Sequence, residues 1–463
     1  MDRCRLVARA RVAAALTLVA APAAADGLAD LPPPRAIGRA GTGSVSDDGA
    51  GAILGSPAGL ARRDQARAQV GAAIADDDLT FVADAPAAPL TRDLSRPVLA
   101  PDVAGAVGVG PVVVGFAFAT TAARDRRMPV PAACLDDGSG RCVDDVTTLF
   151  PHRYAGLSST IRRRTAAVAA AARATDWLAV GASASVSRLE LSERRRGWAG
   201  FAGRDAVGVA DRDVDLTLTG VDGAMLGASA GVLIAPESAS LELAVAVTWG
   251  QDARVDGPAD AAATTRSPGP QVTTSAPSSA LDVASPLIVR GGVRWLGERW
   301  TAELGGDLWL FRGVDRPVWT VRGVEVADVA QVRATVDAVP SLLAQHSHAA
   351  VRAAVDVELL EGFAWITAGW AWTGAAVPVQ RLDPAFADLG GHTAAAGVEV
   401  ATGGVTLTAG WSHTFGTART VDGGAVPIWN PFLGSRAAND GSYGGGRDIV
   451  GLSLEMTLEI ATP

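Results

Sequence analysis

The amino-acid sequence predicts an all-β protein, a transmembrane antiparallel β-barrel of about 14 strands. Three observations predict it. Runs with period-two alternation recur down the chain, tight turns and long polar segments join them in strict alternation, and tryptophans gather at both ends of the runs. Composition agrees: of 463 residues, 48% are hydrophobic, 19% are charged and 53 are Gly, which is too apolar for a disordered chain. A helical membrane protein needs about 18 or more apolar residues able to hold a helix. The one charge-free stretch near that length, Val103 to Ala123, carries Gly105, Gly108, Gly110, Pro111 and Gly115, and reads as two strands around a Gly-Pro turn. The basic residues are all Arg and the formal charge is −9, which argues against a nucleic-acid partner.

From the N-terminus, residues 1–25 read as a signal peptide. Arg3, Arg5, Arg9 and Arg11 form its basic region, Val12 to Ala20 its apolar core, and Ala23-Ala24-Ala25 a small-residue cleavage site. Their removal would move the formal charge from −9 to −12. Residues 26–63 are rich in Gly, Ala and Pro and lack period-two order, so composition alone reads them as a leader. Cys134 and Cys142 flank a short Gly-containing loop, which in an exported protein favours a disulfide over a metal site.

Strands are expected near 66–74, 102–109, 111–121, 165–175, 177–190, 213–235, 239–250, 286–296, 299–311, 348–359, 362–373, 392–401, 404–416 and 447–460. In the last, Val450, Leu452, Leu454, Met456, Leu458 and Ile460 share one face, opposite Gly451, Ser453, Glu455, Thr457 and Glu459. Leu241, Leu243, Val245, Val247 and Trp249 form a similar stripe opposed by Glu242, and Trp300, Leu304, Leu308 and Leu310 face away from Glu303 and Asp307. A soluble sandwich shows the same alternation. It has no reason, however, to keep every long connection (122–164, 251–285, 312–347 and 417–446) on one end of the strands. Trp177, Trp295 and Trp300 fall at short turns, and Trp249, Trp370, Trp372 and Trp411 near the opposite ends, as interfacial girdles require.

Within residues 26–63, three elements are specific: Ile37-Gly38-Arg39-Ala40-Gly41-Thr42-Gly43, then Asp47-Asp48-Gly49-Ala50, then Ser56-Pro57-Ala58-Gly59-Leu60. In this order they resemble the FadL/TodX family of hydrophobic-compound transporters. The resemblance continues patchily through 287–310, 392–415 and 443–460. It implies that residues 26–63 are a hatch plugging a 14-stranded barrel formed by 64–463. It implies passive outer-membrane uptake of long-chain fatty acids or aromatic hydrocarbons by capture in an apolar external groove, hatch movement and lateral exit. Gly38, Arg39, Ala40, Asp47, Asp48, Ser56, Pro57 and Ala58 are then the gate. In the family the exit is a kink in the third strand, which places a bulge at Gly115 against the plain reading of a strand glycine. Two departures stand out: Ser56 where the family has Asn, and a C-terminus without an aromatic residue.

Arg124, Arg126 and Arg127 follow the third strand, Arg162, Arg163 and Arg164 precede the fourth, and Arg194, Arg195 and Arg196 follow the fifth. All nine are expected on the external rim, as a lipopolysaccharide phosphate patch or simply a solvated edge. Gly227-Ala228-Ser229-Ala230-Gly231 matches a nucleophile elbow but lies inside a strand, so no catalysis is read from it. His346 and His348, and the run Asp211-Arg212-Asp213-Val214-Asp215, lack the further ligands a metal site needs. No enzyme activity, cofactor or metal is expected. The expected partners are a hydrophobic solute, membrane lipid and the outer-membrane assembly machinery, for a monomer. The rival reading is a non-transporting barrel acting as an adhesin or structural protein.

Overall fold

A computed structural model describes residues 31–458, apart from 64, 85–89, 130–153, 201–211, 265–268, 313–316 and 433–437. Fourteen strands form the barrel: β1 Ala66–Ala83, β2 Val98–Val109, β3 Val112–Arg127, β4 Gly156–Thr175, β5 Leu178–Trp198, β6 Asp213–Ile234 and β7 Leu241–Gly250, then β8 Leu287–Leu296, β9 Trp300–Leu310, β10 His348–Leu360, β11 Ala364–Thr373, β12 Gly391–Thr402, β13 Val405–Gly416 and β14 Gly441–Leu458. Each pairs antiparallel with the next. β14 returns to β1 in unbroken register from Ala66↔Leu458 to Ala83↔Gly441, which closes the ring. Closure leaves the sheet without free edges, as hydrocarbon demands of a spanning structure.

The alternation read from sequence is the in–out alternation of this wall. Val450, Leu452, Leu454, Met456 and Leu458 are exposed on the outside, while Ser453 and Glu455 are buried inside. Val245, Val247, Leu407, Ile366 and Val355 continue the apolar outer belt, with Trp177 and Trp300 at its short-turn edge and Trp249, Trp370 and Trp411 at the other. Short turns are cheap at this end because glycine takes the left-handed backbone they require. Gly110 sits at φ +61°, and Gly403 and Gly404 at +56° and +79° form a two-residue hairpin.

The long-loop end departs from expectation. β1, β3, β4 and β5 run several residues beyond their expected limits, and the connections 251–285 and 312–347 are not loops. They contain strands Ala253–Ala263, Gln271–Val283 and Val318–Ala327, which pair side by side and attach to the first half of β6. The physical reason is a second core. Leu216, Leu218, Val255, Leu281, Trp319, Val321, Val324, Val326, Val339 and Phe386 are fully or nearly fully buried together above the barrel. Their polar outward neighbours gave these segments the composition of loops. The result is a packed lid over the lumen.

The outer belt is testable. Leu452, exposed between Ala72 of β1 and Ala409 of β13, is expected to lose about 2–4 kcal/mol of stability as Leu452→Arg if it stands near the bilayer midplane. Urea unfolding in phospholipid vesicles measures this, and an unchanged midpoint would place Leu452 outside hydrocarbon.

Candidate functional site

Residues 31–63 fill the barrel at its short-turn end. Two short helices, α1 Pro34–Ile37 and α2 Ala50–Gly55, and a 3-10 turn Pro57–Arg62 carry almost no regular structure of their own, so the wall holds them. Inward-facing glycines let the two backbones touch. A Cβ on Gly410 would lie 2.5 Å from the Gly38 nitrogen, one on Gly369 2.4 Å from the Arg39 carbonyl carbon, and one on Gly181 2.5 Å from the Pro57 carbonyl carbon. Ile37 packs into the space that Gly451 leaves, and Ile53 against Gly115.

Charge fixes the plug in place. Arg39 pairs with Glu303 of β9 at 2.9 Å and with Asp356 of β10, and its Nε donates to the Thr42 carbonyl. The other Glu303 oxygen accepts the Val45 N–H at 2.9 Å. Arg62 grips Glu242 of β7 with both terminal nitrogens, at 3.0 and 2.8 Å. Arg35 reaches Glu399 of β12 and Glu455 of β14, each at 3.3 Å. Asp48 receives Arg35 at 3.0 Å, Arg63 at 2.7 Å and Arg67 at 3.2 Å. Burial alone would raise the pKa of its carboxyl, but Arg35, Arg67 and Arg63 hold the Asp48 carboxyl below the usual range. Ser56 donates to the Ser44 carbonyl at 2.9 Å, cross-tying the plug. Sequence reading set Glu242, Glu303 and Glu455 on the strand face opposite the apolar stripe without assigning them a partner. The missing signal was charge matching: Arg35, Arg39, Arg62 and Arg63 face carboxylates on five strands.

Cavities lie on both sides of the plug. The one toward the short turns, about 430 Å³, is lined by Arg35, Arg39, Asp48, Arg63, Asp356 and Glu399. The one toward the lid, about 370 Å³, has the plug as floor, Asp388 and Leu389 as roof, and Trp309, Ile288 and Arg352 in its wall. It extends to a break in the barrel. The β2–β3 ladder ends at Asp102↔Ala119, and the next contact above is the Leu94 N–H on the Arg127 carbonyl. Pro101 lacks an N–H, and a register shift falls between Thr120 and Ala122 in the β3–β4 ladder. Leu31 enters this opening, its N–H donating to the Thr121 carbonyl at 2.9 Å.

This architecture recurs in solved structures. A Pseudomonas aeruginosa FadL homologue superposes with a TM-score of 0.69 at 13% identity, over 92% of this chain and 98% of the other. The chain has the FadL/TodX fold. The P. putida toluene transporter TodX (TM-score 0.63, 12% identity, 94% and 100% coverage) and the Ralstonia pickettii toluene transporter TbuX (0.62, 10%, 93% and 99%) agree. No protein-family model matches the chain, and no curated protein matches it by sequence.

Within the FadL/TodX fold the other sequence candidates separate. Gly115 hosts no bulge: it pairs in regular register with Ala106 and Ala169, and the irregularity sits at Thr121, where the wall parts. The arginine triplets do not form one external patch, because a strand turns successive side chains to opposite faces. Arg124, Arg126, Arg163 and Arg195 face inward; Arg124 and Arg126 pair with Asp77, and Arg195 is buried beside Glu193. Arg127, Arg162, Arg164 and Arg194 face outward, and Arg196, on the same face of its strand as Arg194, is buried against Asp213 and Asp215. Ser229 points inward and bonds Thr248 and the carbonyls of Gly55 and Val247, and His348 stacks on Trp309 at 4.6 Å. Cys134 and Cys142 lie outside the described residues, as do residues 1–25.

Two consequences follow for measurement. Arg39→Ala leaves Glu303 and Asp356 buried without their cation, at about 3–5 kcal/mol. Faster hydrogen exchange across 35–62 and a larger single-channel conductance are expected, with the added change Glu303→Gln recovering part of the loss. In the lid, Asp383 is wholly buried and accepts the Gly156 N–H at 2.8 Å and the Ala385 N–H at 2.9 Å. Burial pushes its carboxyl up to about 6, against the Gly156 bond and Arg195, with Glu193 adding to the rise. The folded state therefore holds its proton more tightly than the unfolded chain, so stability falls as pH rises from about 4 to about 6 and is level above. Exchange at 374–390, corrected for intrinsic rates, is expected to slow between pH 7 and pH 5, and Asp383→Asn to flatten that dependence.

Proposed function

We propose that the chain is an integral outer-membrane protein, not an enzyme, that passes hydrophobic small molecules inward without an energy source. A solute settles between lid and plug, the plug shifts, and the solute leaves sideways between β2 and β3 into the bilayer. The observation that carries this reading is the continuity of the cavity above the plug with the break in the wall. Leu31, Pro32, Ala100, Pro101 and Ala119 line that route. An alkyl chain gains about 0.8 kcal/mol for each CH2 it buries there, whereas a polar solute gains nothing comparable. Proteins that share this fold include toluene transporters and a monoaromatic hydrocarbon channel, which supports the same class of cargo. Beyond capture in an apolar external groove, this reading adds the lumenal cavity beneath the lid as a place where the solute is held.

The cavity is not uniformly apolar, and this favours a long-chain carboxylate over a plain hydrocarbon. Arg352 and Arg290 both flank Asp307, at 3.1 and 3.5 Å, which sets two guanidiniums in the wall of the cavity. The Nη1 groups of Arg352 and Arg124 are buried and have no hydrogen-bond partner among the described residues. A carboxylate head would satisfy such donors while its tail lies toward the wall opening.

The test is uptake of labelled oleate and labelled toluene by cells with and without the protein. Oleate uptake is expected to depend on it, and Ala100→Trp, which narrows the opening, to reduce uptake. Arg352→Gln is expected to lower oleate uptake roughly tenfold, the loss of ~1.5 kcal/mol from one charged hydrogen bond, and to spare toluene. Equal uptake of both solutes with and without the protein would sink transport and leave the non-transporting barrel.

A further inference from the structure

The outward arginines that survive the in–out sorting are not equivalent. Near the far ends of the strands each has a carboxylate: Arg127 holds Asp125 at 3.0 Å, and Arg194 and Arg196 share Asp215, both at 2.6 Å. Lower on the same wall the balance changes. Arg164 of β4 lies directly opposite Arg188 of β5, and Arg162 opposite Glu190. Glu190 takes Arg188 at 2.9 Å and lies 3.9 Å from Arg164, so one carboxylate serves two guanidiniums with a third, Arg162, beside them. Arg162 has no ion-pair partner among the described residues. Like charges directly opposite on an antiparallel pair destabilise it unless an anion intervenes.

The position of this cluster says which anion. One outward position below Arg164 and Arg188, about 7 Å at strand rise, stand Ala166 and Val186, and below them Val168, all part of the apolar outer belt. The cluster therefore sits at head-group height on the long-loop side of the membrane. Its surplus of about two positive charges stands on a chain whose formal charge is −9, so general attraction of anions by the whole protein is not its cause. Guanidinium forks suit phosphate oxygens, and two surplus charges match a lipid bearing two phosphates. We propose that Arg162, Arg164 and Arg188 bind the phosphate groups of a bisphosphorylated glycolipid of the outer leaflet. This assignment rests on the barrel standing in the outer membrane and is independent of transport.

The experiment uses the full-length protein in detergent, with bisphosphorylated lipid A, its dephosphorylated form and phosphatidylglycerol as probes, read by native mass spectrometry. The native protein is expected to retain bisphosphorylated lipid A at least tenfold better than either other lipid. The variant Arg162→Gln/Arg164→Gln/Arg188→Gln is expected to lose that preference, while Arg127→Gln/Arg194→Gln, which touches only neutralised pairs, keeps it. Heat-modifiable migration on gels checks that each variant is a folded barrel; should the triple variant not fold, the native discrimination and Arg162→Gln alone decide. Equal retention of the phosphorylated and dephosphorylated forms, retention of phosphatidylglycerol as strong as that of lipid A, or an unchanged preference in the folded triple variant would each overturn the assignment.

Discussion

Asp48 meets three guanidiniums inside the barrel, and much of the lumen is organised around that meeting. A lone carboxylate so deeply buried would protonate, and arginines without it would repel one another across a narrow space. Together they form a network that reaches the wall at Glu399 and Glu455 through Arg35 and Arg63, and is extended by Arg39 to Glu303 and Asp356 and by Arg62 to Glu242. Such bonding is weak evidence for stability, since a well-packed apolar plug would hold as firmly. It suits the proposed function, in which the plug sits in one place yet is able to leave it. Ionic contacts re-form with water when broken, whereas an apolar interface exposed to a wet lumen would be left unsatisfied.

The wall is shaped to the same end. Gly181, Gly369, Gly397, Gly410 and Gly451 face inward where the plug backbone presses against the strands, so close approach is bought by removing side chains from the barrel. This accounts for a good part of the glycine content, which in strands would otherwise be a cost in chain entropy. It also explains why the plug needs so little secondary structure: its shape is imposed by the surface it lies on.

Much of this was legible in the amino-acid sequence. The fourteen alternating runs, the loop-length rule and the tryptophan girdles come from constraints that act locally, strand by strand, and every expected run is a barrel strand. The lid was not legible, because Val255, Leu281, Trp319 and Val326 bury against residues far away in sequence, and their outward neighbours are polar enough to read as loop. The arginine triplets failed for a simpler reason. Three adjacent side chains on a strand cannot share a face, so a rule already used for the apolar residues should have split Arg124 from Arg127 and Arg195 from Arg194 and Arg196. Ion pairs such as Arg39 with Glu303 depend on which strands the plug crosses, which no local pattern encodes.

The break between β2 and β3 shows how a barrel tolerates an open seam. In hydrocarbon an unpaired backbone group is costly, so a seam survives only where few such groups exist or where something else meets them. Pro101 has no N–H to leave unpaired, and the shift at Thr121 takes that residue out of the ladder to β4 as well. The Thr121 carbonyl would be orphaned, but the Leu31 N–H meets it, so the plug itself completes the hydrogen bonding of the wall at the seam. Gly115, six residues nearer the turn, is by contrast held in full register on both sides and packed on Ile53. A displacement of the plug would therefore do two things at once: it would vacate the lumen, and it would withdraw the Leu31 N–H from the Thr121 carbonyl, so that floor and wall would open together.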